Sequence, residues 1–580
     1  MVRMGLRSMR STMIALAAFL AGGPVAGKAP EYDLIIRNGT IYDGSGRLPF
    51  EGDVAVKGDR IVRVGPRLPG NAARVIDATG NAIAPGFINA FSHATYSLVT
   101  DPLAEADLRQ GVTLEILGEG DSPGPFNAEQ AAQLRRHVPI PFEWRTLGEY
   151  LAALEKRGTA VNFAAWVGAT TVRANVLGIA DVKPTPDQLI KMRALVRRAM
   201  EEGALGLSTA LIYVPGSFAD TEELAALASE AGRCGGIYVS HMRSEGDHFL
   251  EALDELIEIA RRSGAPAETF HIKVGAPGNW PKMATALARI RAARAAGVRI
   301  TANMYPYSAS STGMTASLPP WVQQGGEDAM RIRLKNPMIR SRVIAEMRDP
   351  APSWENVMNG AGGAKGVVLS SFRNEKLRHF TGKTLAEVAA LRGVSAEEAA
   401  LQLIEEEHGK LYVFYFTMNE DNLRMQVREP YVSFGSDASA MTITPEAMRS
   451  GQHPRGFGTF ARIFARYVRD EKLLTVQEAV RRLTSLPAAN YSLPDRGWLK
   501  PGYLADIVVF DPAKIQDRAT YRQPFSYAIG VSDVIVNGVP ALANGEPTGA
   551  RAGRFVRGRA WTGRSEGGCR ASASAWRWRF

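Results

Sequence analysis

Ile83-Ala84-Pro85-Gly86-Phe87-Ile88-Asn89-Ala90-Phe91-Ser92-His93 is an almost wholly apolar run that ends on a histidine. Such a run, without strict polar alternation, reads as a strand buried on both faces, the kind found in parallel sheets covered by helices. Seven further runs share its texture: Thr113–Glu119, Val161–Gly168, Ala204–Thr209, Gly236–Arg243, Thr269–Gly275, Val298–Tyr307 and Tyr431–Ala438. Helix-period stretches lie between them, among them Pro186–Gly203, Thr221–Gly232, Phe249–Gly264 and Met283–Gly297. Eight strands with helical crossovers predict an α/β fold, a (β/α)8 TIM-type barrel. A doubly wound open sheet is the competing arrangement, but no Gly-x-Gly-x-x-Gly turn follows the first strand to support it.

Outward from the barrel, residues 308–430 separate the last two strands and predict an insertion. It opens on Ser308-Ala309-Ser310-Ser311-Thr312-Gly313, a hinge-like composition suited to a lid. Short strand patterns with hairpin punctuation recur at both ends of the chain, at Tyr32–Arg37, Asp53–Val56 and Arg60–Val64 and again at Ala505–Phe510 and Val531–Gly538. They predict a small β-sandwich domain formed by both chain ends. The expected division is a signal peptide at 1–27, the first part of the β-domain at 28–85, the barrel at 86–490, the second part of the β-domain at 491–550 and a basic, disordered tail at 551–580.

The 580 residues are 45% hydrophobic and 22% charged, an ordinary globular composition that excludes a disordered or collagenous chain. Two cysteines, Cys234 and Cys569, form no CxxC metal motif. The net charge of +10 invites a nucleic-acid reading until it is located. Residues 1–30 carry Arg3, Arg7, Arg10 and Lys28 with no acid, and residues 551–580 carry eight arginines against Glu566. Residues 31–550 are left with a net charge of −1, so no nucleic-acid partner is expected. The three N-terminal arginines, the short apolar run Met13–Leu20 and the small residues Ala21–Gly27 have the order of an export signal, with an uncleaved amphipathic helix as the alternative. Export to the periplasm or medium is expected, without a stable membrane anchor, since the apolar run is too short to span a bilayer.

Barrel chemistry gathers at the C-terminal ends of the strands. His93 ends the first predicted strand, Glu119 the second and Asp437 the eighth; His241 lies near the end of the fifth, and His271 is in the sixth. Imidazoles and carboxylates converging on one rim suit Zn²⁺ with an open position for an attacking water.

Val75-Ile76-Asp77-Ala78-Thr79-Gly80 followed by Ala84-Pro85-Gly86-Phe87-Ile88 resembles the barrel entry of the amidohydrolase superfamily. A further set resembles its D-aminoacylase branch, the N-acyl-D-amino-acid deacylases: Gly203–Thr209, Tyr213-Val214-Pro215-Gly216, Ser240-His241-Met242-Arg243, His271-Ile272-Lys273, Tyr305-Pro306-Tyr307, Gly435-Ser436-Asp437, His453-Pro454-Arg455 and Thr484–Ala488. The resemblance spans residues 31–557 in order. It implies a zinc hydrolase of small N-acyl amino acids. His241 and His271 match the metal-binding histidines, and Asp437 matches the carboxylate that moves the proton from water to the leaving amine. Lys273, Tyr213 and Tyr305 match positions that hold the substrate carboxylate or polarise the scissile carbonyl, with Arg449 as a further carboxylate partner.

Two departures stand out against that family. The first strand of the superfamily ends His-x-His, and here Phe91 stands where the first histidine would be, with Asn89 in place of the preceding acid. Gly120, in Gly118-Glu119-Gly120-Asp121, takes the place of a bridging cysteine. A single zinc is therefore expected, held by His241, His271 and Glu119, with the carboxylate replacing the thiolate. His93 is left as a weak second-site ligand or a substrate contact. Three functions follow from these residues: an N-acyl-D-amino-acid deacylase, another amidohydrolase acting on cyclic imides or dipeptides, and an inactive periplasmic binding protein on the same fold.

Overall fold

The structure, a computed structural model, describes residues 30–137, 140, 143–350, 352–409, 411–449, 451–562 and 569. The export signal expected at 1–27 lies outside the described residues. Eight parallel strands form the centre: β1 (Phe87–Ser92), β2 (Val112–Leu117), β3 (Asn162–Ala165), β4 (Gly206–Ala210), β5 (Ile237–His241), β6 (Ala267–Thr269), β7 (Ile300–Met304) and β8 (Val432–Phe434). β1, β2 and β3 pair in that order. Val167–Gly168 carries the pairing on to β4, and β4 through β8 pair in sequence.

Backbone bonds close the ring. Trp166 N donates to Leu117 O, Asp437 N donates to Phe91 O, and His93 N donates to Ala438 O. Gly435 permits the approach to Phe91, because a Cβ there would fall 2.6 Å from Phe91 N. The strands are buried on both faces, as their apolar sequences require.

The sixth strand ends earlier than its sequence suggests. Phe270 N still bonds Ser240 O, but His271 has φ +28° and turns the chain out of the sheet, so residues 271–275 become loop. The helices lie close to their sequence patterns, at Pro186–Glu201, Thr221–Arg233, Phe249–Ser263 and Lys282–Ala295. The first begins with a reciprocal cap between Thr185 and Gln188 and proline at its first turn, which satisfies donors that would otherwise be orphaned.

Both chain ends enter one nine-stranded sheet, in which Ile507–Phe510 pairs antiparallel with Ala82–Pro85. Leu34, Ile36, Val54, Ile83, Ile507 and Ile535 share its apolar interior. The insertion is a lobe with its own core and a three-stranded antiparallel sheet. Ser310–Gly313, predicted as a hinge, is an edge strand of that sheet, paired with Tyr412–Tyr415; the backbone bonds of the ladder fix what composition alone reads as loose.

Residues 551–562 of the tail are ordered, against the disorder its composition suggests. Gly553 N bonds Thr159 O, Gly558 N bonds Gly203 O, and Phe555 stacks on Phe163 at 6.0 Å. Beyond them Cys569 forms a disulfide with Cys234, across 335 residues of sequence. The remaining tail residues lie outside the described set. Among the described residues no helix is long and apolar enough to cross a membrane.

Candidate active site

The C-terminal rim of the barrel opens into a cavity of about 730 Å³, roofed by Ser310–Gly313, Arg373 and Tyr412 of the inserted lobe. Strand ends deliver its chemistry: Glu119 after β2, Tyr213 after β4, His241 at the end of β5, His271 and Lys273 after β6, and Asp437 after β8. His271 and Asp437 both adopt left-handed backbone, with φ +28° and +49°, a strained state that clusters at functional sites. The His271 amide is pinned by Asn303 Oδ1 at 2.7 Å.

Glu119, His241 and His271 converge. Glu119 Oε1 lies 2.9 Å from His241 Nδ1 and 3.1 Å from His271 Nε2, and these two nitrogens are 3.1 Å apart. Zinc bonds of about 2.0–2.1 Å in a tetrahedron place ligand atoms about 3.3 Å apart, close to this triangle. Two imidazole nitrogens and one carboxylate oxygen this close could hold a cation between them, and an N₂O donor set suits zinc. Burial works against the Glu119 charge, but His241 and His271 hold its carboxyl well below the usual range.

Beside the triad, Asp437 bridges His93 and Arg455. Its Oδ1 lies 2.9 Å from His93 Nε2 and its Oδ2 2.8 Å from Arg455 NH1. Burial opposes its ionisation, yet Arg455, His271 and His93 keep the carboxyl well below its ordinary value. His93 thus partners Asp437 and stands outside the three-ligand cluster. Tyr213 donates or accepts at Thr312 Oγ1 at 2.8 Å and faces the cavity. Tyr305 does not: it is buried behind the wall, its phenol oxygen has no hydrogen-bond partner among the described residues, and its ring lies under Arg455 at 4.6 Å. Arg455 and Lys273 stand over its ring. Arg449 is exposed on the rim, and no hydrogen bond or ion pair joins its guanidinium to another described residue.

The amidohydrolase family profile matches residues 74–541. The chain belongs to the amidohydrolase family. It is 33% identical over 528 residues to an N-acyl-D-glutamate deacylase of Alcaligenes xylosoxydans xylosoxydans, covering 90% of this chain and 96% of that protein. A D-aminoacylase of the same organism is 31% identical over 533 residues, covering 90% and 97%. The crystal structure of the N-acyl-D-glutamate deacylase of Bordetella bronchiseptica, complexed with zinc and a phosphonate mimic of the tetrahedral intermediate, superposes with a TM-score of 0.76 at 29% identity, covering 91% of this chain and 99% of that one.

The two departures of this amidohydrolase from its family have physical counterparts. Phe91 stacks on Phe270 at 4.2 Å and lies edge-on to His93 and His271, an apolar floor where a second metal would need a donor. At Gly120 a Cβ would fall 2.6 Å from Ala210 N, so no cysteine fits this backbone, and the carboxylate facing His241 and His271 is that of the neighbouring Glu119.

Sequence reading missed three groups. Arg455, within the quoted His-Pro-Arg motif, was not assigned a role; its position beside Asp437 depends on His453, whose Nδ1 accepts from the Arg455 amide at 3.0 Å. Asp121 lines the cavity, and burial together with the Glu119 charge pushes its carboxyl up to about 6. Glu245, four residues after His241, lies 2.6 Å from Lys273 Nζ.

Glu355, from the inserted lobe, accepts from Ser244 Oγ at 2.7 Å. Burial pushes its carboxyl from near 4.5 up to about 7. Between these values the folded protein keeps a proton that the unfolded chain has lost, so this group lowers stability as pH rises through that window. Glu355→Gln is expected to match wild type in urea midpoint at pH 4.5 and to exceed it at pH 8. A constant difference across that range contradicts the assignment.

Proposed function

We propose that this amidohydrolase is a zinc-dependent hydrolase that cleaves the amide bond of N-acyl-D-amino acids or related amides. The observation that carries the reading is the Glu119–His241–His271 triangle beside an ionised Asp437 at the C-terminal rim. Those three residues would hold the metal. Zinc in such a site supplies a Lewis acid that polarises a carbonyl and acidifies water at neutral pH.

The chain's own groups do the rest. Asp437, kept ionised by Arg455 and His93, takes the proton of the attacking water and returns it to the departing amine nitrogen, which makes an otherwise poor leaving group leave as a neutral amine. Lys273 and Arg449 offer positive charge for the substrate carboxylate, and the Tyr213 hydroxyl offers a donor to the developing oxyanion. Tyr305 supports Arg455 and Lys273 from behind. The lobe over the cavity limits the access of bulk water.

Activity is tested with matched N-acyl-D- and N-acyl-L-amino acids. Wild type is expected to contain one zinc per chain and to prefer the D series. His271→Ala is expected to lose both zinc and cleavage. Zinc-free wild-type protein that cleaves neither series contradicts the proposal, and preference for L-substrates or cyclic amides moves it to the second reading.

Export is part of the proposal. The signal-like N-terminus supports it, and so does the Cys234–Cys569 disulfide, a bond favoured in oxidising compartments.

A further inference from the structure

Behind the three proposed ligands stands a carboxylate that the reaction outlined above does not use. Glu245 Oε1 lies 2.6 Å from Lys273 Nζ and 3.3 Å from His271 Nδ1, and its Oε2 lies 3.6 Å from His241 Nε2. One carboxyl group therefore faces the outer nitrogen of each histidine whose inner nitrogen faces Glu119. His241 Nε2 is buried with no hydrogen-bond partner among the described residues, and Glu245 Oε2 faces it from 3.6 Å.

Imidazole chemistry gives this arrangement its meaning. A neutral ring carries a proton on one nitrogen and a lone pair on the other. For both inner nitrogens to offer lone pairs to one cation, both outer nitrogens must carry the protons. His271 has a competing arrangement, because Lys273 Nζ also stands 2.7 Å from its Nδ1. An ammonium donating there would place the ring proton on Nε2 and remove His271 from the ligand set. Glu245 Oε1 competes for that ammonium and for the Nδ1–H at once.

We propose that Glu245 is a positioning residue of the metal site: its carboxylate stands behind both rings as the acceptor for His241 Nε2–H and His271 Nδ1–H and pairs with the Lys273 ammonium, so that both rings keep the tautomer a metal ligand requires. Carboxylates placed behind ligating histidines fix ring orientation and raise ligand basicity. The inference rests on the zinc reading above and goes beyond it to a residue outside the ligand set. The local fold holds Glu245 in place. Its carbonyl accepts from Gly275 N at 2.6 Å, tying the loop after β5 to the loop after β6. Its neighbour Ser244 is bonded to Glu355 of the inserted lobe.

The test is zinc affinity, read by competition with a chromophoric chelator, for wild type, Glu245→Gln and Lys273→Met. Glu245→Gln is expected to bind zinc about 10- to 100-fold more weakly than wild type, while Lys273→Met stays close to wild type. Equal zinc affinity in wild type and Glu245→Gln overturns the proposal. So do equal losses in both variants, which would make Lys273 the group that acts. Should Glu245→Gln fail to fold, nitrogen-15 NMR of histidine-labelled, zinc-loaded wild type decides: protons on His241 Nε2 and His271 Nδ1 support the assignment, and a proton-free His271 Nδ1 overturns it. A wild type that takes up no zinc overturns the zinc reading itself, and the role of Glu245 with it.

Discussion

Asp437→Asn is expected to lower kcat for amide cleavage by about 10³-fold, within the range for loss of a general acid–base group, while the protein still binds one zinc. The asparagine keeps the shape of the side chain and removes its ability to take and return a proton. Asp437 belongs to no part of the Glu119–His241–His271 triangle, so metal content separates its role from that of a ligand. Its neighbours also fix the pH behaviour. Arg455, His271 and His93 hold the carboxyl well below its ordinary value against the cost of burial, so it remains a base throughout the neutral range. His93, 2.9 Å away, is the ring in contact with it that could serve instead. His93→Gln is therefore expected to cost far less than Asp437→Asn. The reverse order in kcat would transfer the proton-moving role to the imidazole.

Breaking the Cys234–Cys569 disulfide is expected to cost about 2–5 kcal/mol of stability, the range for loss of a native disulfide. The bond joins a position just after helix Thr221–Arg233 to the tail, 335 residues further on. Cys234 precedes β5, so the link sits toward the N-terminal end of the barrel, away from the strand ends that carry the chemistry. Reduction, or Cys234→Ser, should therefore lower the denaturant midpoint with little effect on kcat. The tail contacts at Gly553, Phe555 and Gly558 should then become more accessible to protease. A non-reducing peptide map without the Cys234–Cys569 pair, or an unchanged midpoint on reduction, contradicts this account.

Much of the fold is legible in the sequence because buried parallel strands write themselves as apolar runs. β1, β5 and β7 fall within their sequence-defined stretches for that reason. β6 does not end where its apolar run ends, because the left-handed backbone at His271 interrupts the sheet, and no residue pattern announces a non-glycine turn. The lobe shows the opposite difficulty: Ser310–Gly313 is small and polar, and only its long-range partner Tyr412–Tyr415 makes it a strand. Residues 551–562 are hard to read from composition for a similar cause, since their contacts are with Thr159, Phe163 and Gly203, all distant in sequence.

The site divides in the same way. His241, His271, Lys273 and Asp437 stand in compact motifs and are visible without a structure. Glu245 carries one signal, an acid four residues beyond a strand-end histidine, but in sequence it looks like any loop glutamate. Tyr305 shows the converse, since its motif points to the substrate while its side chain lies behind Arg455. Gly120 and Phe91 read as losses in sequence. In three dimensions they are a close backbone approach to Ala210 and an apolar stack on Phe270.

Anomalous diffraction at the zinc edge from crystals of the wild-type protein tests the central claim most directly. The account predicts one zinc peak per chain, bonded to Glu119 Oε1, His241 Nδ1 and His271 Nε2. A protein loaded with zinc that shows no peak there, or shows it at His93 with Glu119 unliganded, contradicts it.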